Sequence, residues 1–215
     1  MTQVNAGASR GDTLAGGVIF VAAAGAYALL GSAVSHLPPA GIDAAARGIA
    51  GQAPGVAWIL TESCLWPVLT AFGLVGCVVA LRVPAWRGRI VFAIVTTIVG
   101  WRTSDVLKDI FARPRPSYWI VHHETSFAYS SGHAMFALLV YWLWAYHAAR
   151  SSASKAVRGL LGGLLAAWGI GVIWSRLALG AHYPTDLIGG VLLAIALLAL
   201  ARTVARFAAP RARVL

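Results

Sequence analysis

Three short stretches of this chain collect side chains that can do chemistry together. The first runs from Lys108 to Arg115-Pro116, the second is Ser130-Ser131-Gly132-His133, and the third runs from Ser175-Arg176 through His182 to Asp186. Lys108, Arg115 and Arg176 are three fixed cations, and a guanidinium fork suits two oxygens of one anion at once. Such a set matches a phosphate group, which brings nearly two negative charges and spreads charge over its equatorial oxygens during transfer. Pro116 stiffens the chain behind Arg115. Ser131 and Gly132 precede an expected helix, so backbone N–H groups at its positive end also face the anion. His182 is the candidate nucleophile, because a neutral imidazole nitrogen can attack phosphorus. Asp186, four residues on, would hold the other ring nitrogen, as a carboxylate does in serine-protease triads. Pro184 suits the first turn of a helix, leaving His182 just before it and Asp186 one turn inside. His133 is the candidate proton carrier: it would protonate the leaving oxygen and then deprotonate the water that hydrolyses a phosphohistidine.

The elements that must position these groups are membrane helices. Of 215 residues, 59% are hydrophobic and only 11% are charged, against about 25% charged in an average soluble domain. The mean hydropathy is +0.75. This composition excludes disorder. It also fits a nucleic-acid partner poorly, because basic binding domains spread their charge over a polar surface. Segments free of acidic and basic residues place six spans at 14–34, 63–81, 90–101 continued into 102–109, 131–149, 159–175 and 187–201. About 20 apolar residues cross the hydrocarbon layer at 1.5 Å per residue. These runs lack the two-residue alternation of barrel strands. The expectation is an all-α polytopic membrane protein of six transmembrane helices, folded as one domain over 1–215. The stretch 36–53, with Pro38, Pro39, Gly41, Asp43 and Arg47, reads as a turn plus a short amphipathic interfacial helix. The apolar core of the first segment exceeds the 7–15 residues typical of a signal peptide, so it reads as a retained span.

The basic residues set the orientation. Arg10, Arg82, Arg87, Arg89, Arg150, Lys155, Arg158, Arg202, Arg206, Arg211 and Arg213 fall on one side with Asp12 as the lone acid, and the other six basic residues share the opposite side with the remaining acids. The positive-inside rule puts both termini in the cytoplasm and all three motif stretches on the outer face. One Arg or Lys at the bilayer centre costs about 2.5–3.5 kcal/mol, so Lys108, Arg115 and Arg176 belong at the outer interface. The net charge of +10 therefore serves topology and anion binding, and no nucleic acid is expected as a partner.

These stretches resemble the three signature motifs of the type 2 phosphatidic acid phosphatase superfamily: K-x6-R-P, P-S-G-H and S-R-x5-H-x3-D. The first and third match at every fixed position, and the second departs only where Ser130 stands in place of proline. The resemblance covers about 108–186 by motif. It implies a bacterial membrane lipid phosphatase of the inner membrane, acting on the outer side, with the assignments given above for His182, His133 and Asp186. It implies phosphate binding by Lys108, Arg115, Arg176, Ser131 and Gly132, and neither a metal nor another cofactor. Implied substrates are undecaprenyl diphosphate, phosphatidylglycerol phosphate, phosphatidic acid and lipid A phosphate, with undecaprenyl diphosphate or a broad range placed first. A lipid phosphotransferase using the same site is the enzymatic alternative. A phospholipid-binding or transport protein without turnover is the other, and intact catalytic positions speak against it. No obligate protein partner is evident beyond the bilayer and its lipid phosphate.

The remaining polar residues carry weaker expectations. His122, His123 and Glu124 lack further ligands at metal spacing and read as the rim of the substrate entrance. Asp105 and Asp109 read as partners of Arg102 and Arg113. His36 and His147 read as residues at helix ends, and Glu62, near the outer end of the second span, reads first as solvated, with a lipid headgroup or an outward arginine as its alternative partners. Cys64 and Cys77 lie roughly 20 Å apart on one expected helix, too far to bond each other. Tryptophans such as Trp58, Trp66, Trp101 and Trp119 read as an interfacial belt.

Overall fold

Proline and glycine punctuate the chain into helices whose apolar sides point outward. The computed structural model describes residues 4–118 and 125–208, with side chains over 11–118 and 125–207. Every regular element among the described residues is helical. These are α1 (Val4–Ser35), α2 (Ile42–Ala45) followed by a 3-10 turn (Ala46–Ile49), α3 (Pro54–Glu62), α4 (Trp66–Arg82), α5 (Arg87–Phe111), α6 (Gly132–Phe136), α7 (Leu143–Ala149), α8 (Lys155–Ala178) and α9 (Pro184–Ala208). A second 3-10 turn, Pro84–Trp86, leads into α5, and a π-helical segment, Ala137–Trp142, joins α6 to α7. In lipid the backbone can satisfy its hydrogen bonds only internally, which is why such a sequence adopts helices.

Among the described residues, four helical stretches are long and apolar enough to cross a membrane: Gly11–Ser35, Pro84–Phe111, Lys155–Ala178 and Pro184–Phe207. A fifth arises if α3 and α4, bent by 44° at their junction, count together. The expected span at 63–81 is thus altered: helix starts at Pro54, stops at Glu62 and restarts at Trp66. The physical reason is Pro67, which lacks the N–H an uninterrupted helix needs and instead opens the first turn of α4. Cys64 falls in this break and Cys77 lies in α4, so they do not share one helix, and both are free thiols. Leu29, Leu74 and Leu81, among many others, stand largely exposed, a surface suited to lipid.

The packing brings the ends of the chain together. α1 lies along α9, α3 and α7 lie on α8, and α6 packs on α9. Arg206 near the end of α9 pairs with Asp12 near the start of α1 at 3.0 Å. The core centres on Tyr27, Tyr129, Met135, Leu139, Val172 and Leu193. Gly190 has a local reason: a Cβ there would collide with the Ser131 carbonyl and crowd Ala134. Only hydrogen at that position lets the start of α6 press against α9.

Two expectations change in detail. The 36–53 stretch does form a short helix, yet Asp43 on it is buried and Gly51 N–H donates to Ala178 O at 2.8 Å. It is tied into the helix bundle through these groups. Several tryptophans pack helix on helix: Trp66 meets Trp101 at 4.4 Å between ring centroids, Trp86 stacks on Trp144 at 6.0 Å, and Trp168 Nε1 donates to Ser63 Oγ at 3.0 Å. Trp119, His122, His123, Glu124, Arg211 and Arg213, and the side chain of Arg10, lie outside the described residues.

Candidate active site

The three motif stretches converge where α5, α6, α8 and α9 meet. α9 begins at Pro184, so His182 sits just before it and Asp186 in its first turn, where the helix dipole favours an acid. His182 is buried at 2% exposure, and Asp186 is fully buried. Asp186 Oδ2 accepts the Tyr183 N–H at 2.8 Å, and Oδ1 accepts from Arg113 NH1 at 2.5 Å. Oδ2 also lies 3.4 Å from His182 Nδ1. That separation is an approach without a formed hydrogen bond, since Nδ1 has no partner of good geometry among the described residues. Catalytic hydrogen bonds often tighten only once substrate is bound.

The other ring nitrogen fixes the tautomer. Arg115 NH1 lies 3.2 Å from His182 Nε2. A guanidinium only donates, so Nε2 must hold a lone pair and the ring proton belongs on Nδ1, facing Asp186. Burial comes first in lowering the His182 pKa well below its ordinary value, with Arg115, Arg176, Lys108 and His133 adding to it. The imidazole is therefore neutral at physiological pH.

The cations are braced from several elements. Arg115 Nε donates to Ser126 O at 2.8 Å, NH2 to Ser126 Oγ at 3.0 Å and NH1 to Ala181 O at 3.1 Å. Lys108 Nζ reaches the same Ser126 Oγ at 3.4 Å. Arg176, buried in the last turn of α8, donates from NH1 to Thr61 Oγ1 at 2.5 Å. The His133 ring hydrogen-bonds the backbone of the same Thr61, and its Nε2 is buried with no partner among the described residues. His133, His182, Lys108, Ser126 and Ser104 line a cavity of about 220 Å³. Trp66 lines both this cavity and an apolar crevice of about 290 Å³ between α4 and α5.

The second motif is arranged differently from its expected form. Ser131 Oγ caps α6 by accepting from Ala134 N at 3.4 Å, and the Ser131 N–H donates to Asp186 O at 3.0 Å. Its N–H is thereby committed within the protein. The first-turn N–H groups that helix geometry leaves without an intrahelical acceptor are those of Gly132 and His133. The motif-two serine thus joins α6 to α9 and sets their register.

Arg113 corrects the sequence reading. It was expected to pair, with Arg102, against Asp105 and Asp109; instead it bridges Asp43 at 2.7 Å and Asp186 at 2.5 Å. α5 ends at Ala112 in a left-handed conformation (φ 47°), which turns Arg113 away from the α5 face bearing those acids. Arg102 lies over the Trp101 ring at 5.2 Å. Burial works against the Arg113 charge, and the carboxylates of Asp186 and Asp43 outweigh it, raising its pKa above the ordinary value.

Residues 86–209 match the PAP2 superfamily. This chain belongs to that superfamily. Phosphatidylglycerophosphatase B of Bacillus subtilis (strain 168) is 37% identical over 98 residues, covering 44% of this chain and 47% of the relative. Phosphatidylglycerophosphatase B of Escherichia coli (strain K12) is 39% identical over 95 residues, 42% of this chain and 33% of that one. The match thus spans about half the length of the first relative and a third of the second. Among solved structures, the crystal structure of the first transmembrane PAP2 type phosphatidylglycerolphosphate phosphatase from Bacillus subtilis aligns with a TM-score of 0.72 at 23% identity, covering 90% of this chain and 98% of that one. The shared fold therefore extends over most of the chain, beyond the matched 86–209.

Within this PAP2 chain, sequence reasoning passed over Asp43, Thr61, Ser126 and Thr185. Asp43 signals itself only as a lone acid between two apolar stretches. Arg113 was within reach, as the first arginine of Arg113-Pro114-Arg115-Pro116. Thr61 and Ser126 have no spacing signal. Among the described residues no cluster of three or more His, Cys, Asp or Glu is placed to hold a metal ion.

Proposed function

We propose that this protein is a membrane lipid phosphatase that hydrolyses a phosphomonoester or diphosphate of a lipid through a phosphohistidine at His182, without a metal. The observation that carries this reading is the lone pair on His182 Nε2. Arg115 contacts that nitrogen, Arg176 and Lys108 act on the ring electrostatically, and Asp186 stands behind Nδ1. On binding, the phosphate takes the place of Nε2 as acceptor for Arg115. The Nε2 lone pair then forms the N–P bond as the P–O bond to the lipid breaks, and His133, charged as imidazolium once the phosphate anion sits beside it, gives a proton to the leaving oxygen and becomes neutral. The ring keeps its Nδ1 proton and becomes cationic, so Asp186 stabilises it. Water then attacks phosphorus, His133 takes its proton, and inorganic phosphate leaves with the N–P electrons returned to Nε2. The cations and the N–H groups of Gly132 and His133 stabilise the equatorial charge throughout. Ser131 contributes through the turn it caps.

The size of the site supports a lipid substrate held by its headgroup. The polar cavity accommodates a phosphate, and the crevice sharing Trp66 leads its tails sideways toward the bilayer. We assign six spans, with 131–149 as the fourth, in one domain over 1–215 of a bacterial inner membrane. Both termini are cytoplasmic and the site faces outward. The proximity of Asp12 and Arg206 supports placing the two ends on one side. The names of the relatives make phosphatidylglycerol phosphate the first substrate to test, with undecaprenyl diphosphate, phosphatidic acid and lipid A phosphate beside it. Phosphate release from such a panel by the purified protein tests the assignment. Turnover of at least one lipid is expected, and transfer of label only to another lipid would establish a phosphotransferase instead.

A further inference from the structure

Asp43 and Arg113 form a buried chain of charge behind the site. Asp43 Oδ2 accepts from Arg113 NH2 at 2.7 Å and from Thr185 Oγ1 at 2.6 Å, while Oδ1 accepts the Thr185 N–H at 3.0 Å. Arg113 NH1 donates onward to Thr185 Oγ1 at 2.7 Å and to Asp186 Oδ1 at 2.5 Å. The Arg113 guanidinium also lies over the Tyr183 ring at 4.5 Å. The Asp43 and Arg113 side chains are 4% and 3% exposed, and that of Asp186 is not exposed at all. We propose that Asp43 and Arg113 are positioning residues that hold Asp186 Oδ1, so that Oδ2 stays aimed at His182 Nδ1, and that they keep a net single negative charge behind the nucleophile.

Three considerations support this role. First, the Asp186 carboxylate is held at both oxygens. Arg113 occupies one oxygen and Tyr183 N–H steadies the other, which fixes the plane of the carboxylate toward His182. Second, phosphoryl transfer to Nε2 leaves the ring cationic. Asp43, Arg113 and Asp186 together sum to one negative charge, which compensates that cation where water cannot. Third, two linked buried ion pairs are a poor means of joining a loop to a helix end, because desolvation offsets much of their attraction. An apolar contact would serve the fold equally well, whereas only charge reaches His182.

The inference rests on the reading of His182 and Asp186 as catalytic. The test uses the full-length protein in detergent micelles with dioctanoyl phosphatidic acid as probe, comparing Asp43→Asn, Arg113→Gln and Arg113→Lys alone and in an Asp186→Asn background. Asp43→Asn is expected to lower kcat about tenfold and Arg113→Gln about 10–100-fold, the range typical of residues that orient a ligating or catalytic neighbour. KM should stay within about twofold, and Arg113→Lys should recover part of the loss. Once Asp186 is Asn, neither substitution should cost anything further, because groups acting through one residue are not additive. Full additivity in that background, a loss expressed in KM, unchanged kcat, or failure of both Asp43→Asn and Arg113→Gln to fold would overturn the proposal. Substantial activity in His182→Ala would overturn it together with the catalytic reading. Loss of activity in His182→Ala and Asp186→Asn, with normal kcat in the Asp43 and Arg113 variants, would remove this proposal alone.

Discussion

Arg115 NH1 approaches His182 Nε2 to 3.2 Å, and the contact runs in one direction only. Arginine offers no lone pair, so the histidine must accept, and its proton is forced to the nitrogen that faces Asp186. On the proposed reading, the cation assigned to the phosphate thus selects the reactive tautomer before substrate arrives.

His182→Ala should abolish phosphate release. Loss of a nucleophile commonly costs more than about 10³-fold in kcat. Steady-state assays with a phosphatidic acid or phosphatidylglycerol phosphate check this, and substantial remaining activity would remove His182 from the role.

Thr61→Val keeps the side-chain volume and deletes the hydroxyl that Arg176 NH1 reaches at 2.5 Å. A hydrogen bond to a charged group contributes about 1.5–3 kcal/mol. About a ten- to hundredfold fall in kcat/KM is therefore expected, with the folded state intact by thermal melting. An unchanged kcat/KM would mean that Arg176 is positioned without Thr61.

Stability should fall on the acid side. The His182 pKa is lowered in the folded protein, by burial first and then by the neighbouring cations, while the unfolded chain titrates near about 6.5. Below that pH the unfolded state binds a proton that the folded state refuses, so this contribution is lost as pH falls from about 7 toward 5. The melting temperature of wild type should drop across that window more steeply than that of His182→Gln. Parallel curves would contradict the assignment.

Sidedness is testable by labelling. With Cys64 and Cys77 replaced by serine, Ser117→Cys, exposed on the loop after α5, should react with an impermeant maleimide in intact cells. Ser152→Cys, exposed between α7 and α8, should react only after permeabilisation. The reverse pattern would invert the topology.

EDTA should leave the rate unchanged. Strong inhibition that a divalent ion restores would bring a metal into the chemistry.

The parts of this site legible from sequence are those set by local geometry. His182 and Asp186 are four residues apart across a proline that starts a helix, so their relation follows from helix periodicity alone. The all-helical architecture follows from the composition, because lipid leaves the backbone little choice. What escaped is what depends on long-range contact. Arg113 meets Asp43 across 70 residues, and Arg176 meets Thr61 across 115. No periodicity connects such pairs, so the nearby acids Asp105 and Asp109 were the natural partners to expect for Arg113. The reversal at Ala112, where an alanine adopts a positive φ, carries no residue-type signal either. The bent start of the second span was partly visible, since Pro67 announces a helix restart, but an apolar run masks the break at Ser63-Cys64-Leu65.

The most direct test of the account is to trap the covalent intermediate. The purified protein would be mixed with ³²P-labelled phosphatidic acid and quenched in alkali within milliseconds, and the label on the protein mapped by its acid lability and by peptide sequencing. The account predicts an acid-labile, alkali-stable phosphate on His182, absent from His182→Ala. Turnover with no protein-bound phosphate, or with the label on another residue, would contradict it.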